Sequence, residues 1–280
     1  MSYDKNRNSA TSTLTALSYI DAHLHLADPS YAGRVEQIVE DAAEHNVSQM
    51  LSNAVDHESS LSTIRLAKQF PGRVLAAVGV HPFTVTKSSE LYLDKFGRMI
   101  DENREWVRAI GEIGLDGKYT QDERIVARQR ETFRFFLGLA EERNLPVVVH
   151  SRDAVTEALT SLADFRLPHV LLHWYDGPIE NLSLLKEREY LISIGPAALY
   201  SGKIAEIARA AYPRMILSET DGPVKYRGLF ADKVARPSFV VEVVKKLAEL
   251  RGANSEDVKS TICSNFERFL RVSRDSQSLC

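Results

Sequence analysis

Cysteine is almost absent from this chain: Cys263 and Cys280 are the only two in 280 residues. They offer neither a thiolate metal spacing nor a disulfide framework, a usage that suits a reducing interior. An excess of charge of one sign is lacking too, since 35 Lys and Arg stand against 38 Asp and Glu, a formal net charge of −3. Nothing global therefore draws the chain towards nucleic acid or an anionic membrane, and a polyanionic substrate has to be met by local charge or by metal. No stretch reaches the roughly 18 uninterrupted apolar residues of a membrane span. Residues 1–18 are polar, rich in Ser and Thr and without the apolar run of a secretory signal, and they read as a flexible lead-in. A cytoplasmic protein without membrane association is the expectation, monomeric by default. No Pro/Gly/Ser-rich linker or shift of composition divides the rest, which leaves one domain over 19–271 and a short tail over 272–280.

What is present is a regular alternation of apolar runs with helical periodicity. Strand-like runs occupy 19–26, 47–55, 74–81, 106–116, 146–150, 169–174, 190–195 and 215–220. Between them, apolar residues at helical spacing predict helices over 33–46, 59–70, 88–103, 122–143, 153–163, 179–188 and 202–211, with two more over 238–251 and 255–271. Apolar strands that alternate with helices make a parallel sheet covered on both faces. Eight of them in about 250 residues is the count of a (β/α)8 TIM barrel, an α/β fold. The alternative, a doubly wound open sheet, is weakened because no Gly-rich fingerprint follows the first strand.

The first strand, Tyr19-Ile20-Asp21-Ala22-His23-Leu24-His25, sets the chemistry. Its alternation puts His23 and His25 on one face, about 7 Å apart along the backbone, within reach of one shared ion. Alone, such a pair is better explained as the wet face of a half-buried strand. The rest of the chain reverses that weighting. His81 ends the third run, Glu112 and Asp116 lie at the end of the fourth, His150 ends the fifth, His173 lies at the end of the sixth, and Glu219 and Asp221 close the eighth. In a barrel those positions meet on the C-terminal rim, where active sites lie.

Each residue has an ordinary explanation by itself. His81 before Pro82 suits a turn, His150 and His173 suit satisfied core histidines, and Asp221 before Gly222 suits a cap or turn. Glu112, between Gly111 and Gly114 on an apolar strand, is costly unless a cation meets it. Jointly, four His and two carboxylates on one rim match two divalent ions that share a carboxylate. We assign His23, His25 and Asp221 to one ion, His150 and His173 to the other, and Glu112 as the bridge. Imidazole-rich ligation favours Zn, Mn, Fe or Co, with Mg also admissible because phosphate and water supply oxygens.

These segments, in order, resemble a known family. His23-Leu24-His25, Gly79-Val80-His81-Pro82, Gly111-Glu112-Ile113-Gly114-Leu115-Asp116, Pro146 to Ala154, His173-Trp174-Tyr175-Asp176-Gly177 and Glu219-Thr220-Asp221 are similar to the TatD-related hydrolases of the metal-dependent hydrolase superfamily. Ser264 to Phe269 resembles that family's closing helix, so the likeness runs from about Tyr19 to Phe269. The resemblance implies a TIM barrel, a divalent-metal site and metal-dependent deoxyribonuclease or related phosphoester hydrolase activity, with DNA, single-stranded or at ends, as substrate. Two departures fall in substrate-facing loops. Gly117-Lys118-Tyr119 stands where the family commonly has aromatic residues after Leu115-Asp116, and Val234 to Ser238 lacks the family's Asn-Glu-Pro.

The expected chemistry is attack on a phosphodiester by a metal-activated hydroxide, with Asp221 as general base and Glu112 holding the ions together. Arg152, Lys118, Lys225 and Arg227 are candidates for phosphate contact, although exposed basic residues are more often solvated surface charge. His81 is assigned to phosphate or water, and Trp174, Tyr175, Phe83 and Tyr119 offer stacking faces for splayed bases. Two other readings compete: hydrolysis of a small-molecule ester, lactone or amide, and a metal-stabilised binding protein without turnover. Asp221 disfavours the last, because a purely structural site has no need of a base at an open position.

Overall fold

The computed structural model describes residues 17–270, so the tail over 272–280 and all but the end of the lead-in lie outside the described residues. Eight strands alternate with helices. In chain order they are β1 (Tyr19–Leu24), α1 (Val35–Glu44), β2 (Val47–Asn53), α2 (His57–Gln69), β3 (Val74–Val78), α3 (Pro82–Lys87), α4 (Leu93–Glu102), β4 (Val107–Gly114) and α5 (Glu123–Arg143). The chain continues with β5 (Val147–His150), α6 (Val155–Leu162), β6 (Val170–Leu172), α7 (Asn181–Glu187), β7 (Leu191–Ile194), α8 (Gly202–Ala210), β8 (Ile216–Ser218), α9 (Val240–Arg251) and α10 (Ser255–Leu270). The strands form one sheet in sequence order, and every neighbouring pair is parallel. This is the expected (β/α)8 barrel in a single domain.

The last strand meets the first through a short seam. Ser218 Oγ donates to Ile20 O at 2.6 Å, Asp221 N donates to His23 O at 2.9 Å, and His25 N donates to Gly222 O at 2.7 Å. The last two of these bonds fall just where the two strands run out into their C-terminal loops, so closure of the barrel and placement of the rim residues are one event.

The elements follow from local chemistry. Val147, Val148 and Val149 of β5 and Val170, Leu171 and Leu172 of β6 are all fully buried, as parallel strands covered on both faces require. Burying each such side chain contributes roughly 1.5–3 kcal/mol, and the helices supply the cover. α2 starts at a capping box in which Asp56 accepts from Ser59 N at 2.7 Å and Ser59 Oγ accepts from Asp56 N at 2.9 Å. α9 stops at Gly252, whose φ of 58° a side-chain-bearing residue adopts only with strain.

Two features differ from the sequence-based expectation. Pro82–Lys87 is a helix rather than a turn after His81: proline at the first helical position costs no hydrogen bond there, and His81 caps the turn. The helix expected over 88–103 consequently begins only at Leu93.

One glycine is structurally obligatory near the rim. Gly114, the last residue of β4, has φ of 142°, and a Cβ there would stand 2.0 Å from His150 O. With Leu115 N donating to His150 O at 3.0 Å, this close passage fixes the end of β4 against the end of β5.

Candidate metal centre

The rim brings together six residues from strands far apart in sequence. His23 Nε2 and His25 Nε2 are 3.4 Å apart, and each lies 3.3 Å from Glu112 Oε2 and 3.3 Å from Asp221 Oδ1. A regular tetrahedron with metal–ligand bonds of about 2.0–2.1 Å has edges of about 3.3–3.4 Å, the separation that His23 and His25 keep from each other and from both carboxylate oxygens.

The other oxygen of Glu112 organises a second set. Glu112 Oε1 is 2.8 Å from His150 Nδ1 and 2.8 Å from His173 Nε2, and those two nitrogens are 3.3 Å apart. His81 Nε2 stands close by, 3.1 Å from Glu112 Oε1 and 3.2 Å from His150 Nδ1. Glu112 thus divides its two oxygens between two groups of donor atoms.

The residues present fit a cation on physical grounds. Glu112 is 1% exposed, and its Oε2 accepts no hydrogen bond within the protein. A buried carboxylate oxygen with only imidazole nitrogens around it is costly unless a positive charge reaches it.

The imidazoles are oriented from behind. His25 Nδ1 faces Asn53 O at 2.9 Å, and His150 Nε2 faces Asp116 Oδ2 at 2.7 Å. His173 Nδ1 faces Glu219 Oε2 at 3.7 Å, while Ser193 Oγ donates to the same oxygen at 2.5 Å. An oxygen acceptor behind one ring nitrogen puts the proton there and turns the lone pair of the other towards the centre. Asp116 is itself anchored: its Oδ1 accepts from Lys118 N at 2.7 Å and Tyr119 N at 3.0 Å, and its Oδ2 pairs with Arg152 Nε at 2.9 Å. Asp21 braces the other side of the rim, accepting from Thr220 N at 3.0 Å and from Thr220 Oγ1 at 2.5 Å, one residue before Asp221.

The electrostatics describe a site that requires positive charge. Burial raises the Glu112 carboxyl, but the charges of His81, His173 and His23 and the hydrogen bond from His150 outweigh it and hold Glu112 well below the usual carboxylate range. For Asp221, burial is likewise overcome by hydrogen bonds from His23 and His25, and the carboxyl is held low. Burial opposes charge on His25, yet its bonds to Asp221 and Glu112 lift it to about 10. The same competition raises His150, through Asp116 and Glu112, and lifts His173 well above its ordinary value, through Glu112 and Glu219. His81 goes the other way, pushed down to about 4 chiefly by burial.

A cleft of about 600 Å³ opens over these groups, lined among others by Phe83, Tyr119, Arg152, Trp174, Asp28 and Asp176. Tyr119 stacks over His150 with ring centroids 6.3 Å apart, Phe83 meets Tyr119 edge-on at 5.3 Å, and the Arg152 guanidinium lies 4.6 Å from the Tyr119 ring centroid. Of the residues expected to contact substrate, His81, Arg152 and Trp174 are therefore at the cleft. Lys118, Lys225 and Arg227 are exposed and are not among its lining residues. Tyr175 is buried, its hydroxyl donating to Pro178 O at 2.7 Å, and offers no stacking face.

The supporting roles of Asp116, Glu219 and Asp21 were not assigned from the sequence. Asp21 carried the clearest signal, since it shares the alternation of His23 and His25 on the first strand.

Comparison with known proteins agrees with this arrangement. Residues 20–271 match the family model described as TatD related DNase. An uncharacterized metal-dependent hydrolase of Methanocaldococcus jannaschii is 29% identical over 255 residues, covering 91% of this chain and 98% of that protein. The human deoxyribonuclease TATDN3 is 28% identical over 264 residues, covering 88% of this chain and 92% of that protein. Among solved structures, the Escherichia coli TatD homologue YjjV superposes with a TM-score of 0.85 at 26% identity, over 92% of this chain and 100% of that one.

Proposed function

Since this chain belongs to the TatD related DNase family, we propose that it is a deoxyribonuclease that hydrolyses phosphodiester bonds with two divalent ions, which Glu112 and the donor groups around it would hold. The observation that carries this reading is that shared carboxylate: Oε2 lies 3.3 Å from His23 and His25, while Oε1 lies 2.8 Å from His150 and His173. The name of the human relative, a deoxyribonuclease, supports DNA as the substrate.

Divalent ions held by His23, His25, Asp221, Glu112, His150 and His173 would supply Lewis acidity, activating water and taking up charge on phosphoryl oxygens. The chain's own groups do the rest. Asp221, held ionised by its histidine neighbours, accepts the proton of the attacking water. Glu112, on the rigid strand β4, fixes the spacing of the two donor sets. Asp116 holds the His150 ring in the orientation that presents its lone pair, and Glu219 stands 3.7 Å behind the His173 ring.

Substrate enters over the aromatic wall. Phe83 on one side and Trp174 on the other present ring faces for an unstacked base, while Tyr119 is engaged by His150 and the Arg152 guanidinium. Asp28 and Asp176 on the same cleft disfavour a long run of phosphates, which supports a strand end over continuous duplex. The same modest volume and the acidic rim also favour a second reading, hydrolysis of a small ester, lactone or amide.

Purified protein and its Asp221→Asn variant, assayed on single-stranded DNA, duplex DNA, RNA, a chromogenic phosphodiester and a lactone and ester panel, separate the two. The proposal expects cleavage of single-stranded DNA that chelator abolishes and Asp221→Asn lowers about 100-fold or more. Turnover of only the lactones or esters establishes the second reading, and chelator-insensitive activity sinks both.

A further inference from the structure

His81 is the one histidine of the rim whose second nitrogen receives a proton instead of giving one. Phe83 N donates to His81 Nδ1 at 3.0 Å, which makes His81 the side-chain cap of α3. The cap has a sequence origin: Pro82 at the first helical position has no N–H, so the amide of Phe83 is the first that needs an acceptor. A backbone amide is always a donor, so His81 Nδ1 must present its lone pair, and the ring proton of the neutral imidazole resides on Nε2. The other rim histidines with a hydrogen-bond acceptor behind them are wired in reverse, His25 against Asn53 O and His150 against Asp116.

Distance alone would make His81 Nε2 a fourth ligand of the second donor set, since it lies 3.1 Å from Glu112 Oε1 and 3.2 Å from His150 Nδ1. A ligating Nε2, however, needs a lone pair there. The ring proton would then sit on Nδ1, head-on against the Phe83 N–H, and the cap of α3 would be lost. We propose that His81 is not a metal ligand but a catalytic hydrogen-bond donor, whose Nε2–H is aimed at a substrate oxygen entering beside Glu112 Oε1 and His150 Nδ1. On the phosphodiester reading, on which only the identity of that oxygen rests, the acceptor is a phosphoryl oxygen whose charge grows during the reaction. A donor fixed in place by the backbone stabilises such charge without reorganising.

The test combines metal content, turnover and ring tautomer. His81→Ala removes lone pair and donor together, while His81→Gln restores an N–H near the position of Nε2. Both variants are expected to retain the full wild-type metal content by elemental analysis. His81→Ala is expected to lose about 100-fold in kcat, and His81→Gln to regain at least about tenfold of that. In wild-type protein with 15N-labelled histidine, the His81 ring is expected to show an unprotonated Nδ1 and a protonated Nε2, a readout that needs neither variant nor substrate. Loss of one metal equivalent in both variants, or a protonated Nδ1 in the metal-loaded protein, overturns the proposal. Failure to cleave any phosphodiester would overturn the proposed function while the tautomer and the metal content still decide the role of His81.

Discussion

The backbone N–H of Asp221 donates to the carbonyl of His23 at 2.9 Å. Nearly two hundred residues separate them in sequence, yet this bond helps to join the first strand to the last and sets two of the donor groups around Glu112 Oε2 side by side. The barrel therefore assembles half of its centre by closing.

Replacing both His23 and His25 by Ala should remove one divalent ion per chain and lower activity about 100-fold or more, while the barrel stays folded. Elemental analysis and far-UV circular dichroism check this together. The rings are not needed for closure, because the seam at this point is made by the backbone atoms of His23, His25, Asp221 and Gly222.

Asp116→Asn should cost about 10- to 100-fold in metal affinity or activity without touching a donor atom. Asp116 accepts from the far side of the His150 ring at 2.7 Å, and an amide at that position can turn its NH2 towards the ring and favour the wrong tautomer. A competitive chelator titration of the purified variant measures the loss.

The pH dependence of the metal-free protein follows from the opposed shifts. His25 is raised to about 10, so the stability from its pairing with Asp221 and Glu112 is fully present below pH 6.5 and is lost as pH rises towards 10. Asp221 and Glu112 are held low, so their contribution is present above about pH 4.5 and is lost as pH falls further. His81, pushed down to about 4, costs stability as pH falls from 6.5 towards 4, so the metal-free Tm should be highest near pH 6.5 and decline on both sides. Saturating divalent metal should flatten the alkaline decline, because the ion replaces the protons that rising pH removes. Thermal melts from pH 4 to 10, with and without metal, measure both.

Gly114→Ala should destabilise the fold by about 3 kcal/mol and disturb the centre with it. Its φ of 142° strains any side chain, and the new Cβ would meet His150 O at 2.0 Å. Denaturant unfolding gives the stability change; metal content reports whether Glu112 and His150 still face each other.

The fold and the six donor residues were legible in the sequence for one reason. In a barrel the strand ends converge, so His23, Glu112, His150, His173 and Asp221 needed only to be placed at strand ends to be placed together. His81 was visible too, but its role was not. Which nitrogen carries the proton depends on the amide of Phe83, and the six residues of α3 are too few to show a helical period. Loop side chains were the least legible. Lys118 and Arg227 have the charge expected of phosphate contacts, but where a loop points its side chains depends on packing that periodicity does not encode. Asp116 and Glu219 stand in the motifs, and their supporting roles emerged only from the distances behind the rings.

The central claim is that Glu112 is shared between two ions. A crystal of the metal-loaded protein, measured at the absorption edge of bound Mn or Zn, tests it most directly. Two anomalous peaks about 3.5–4 Å apart are expected, one beside Glu112 Oε2 with His23, His25 and Asp221, the other beside Oε1 with His150 and His173. A single peak at full loading, or a pair that Glu112 does not touch, would contradict it.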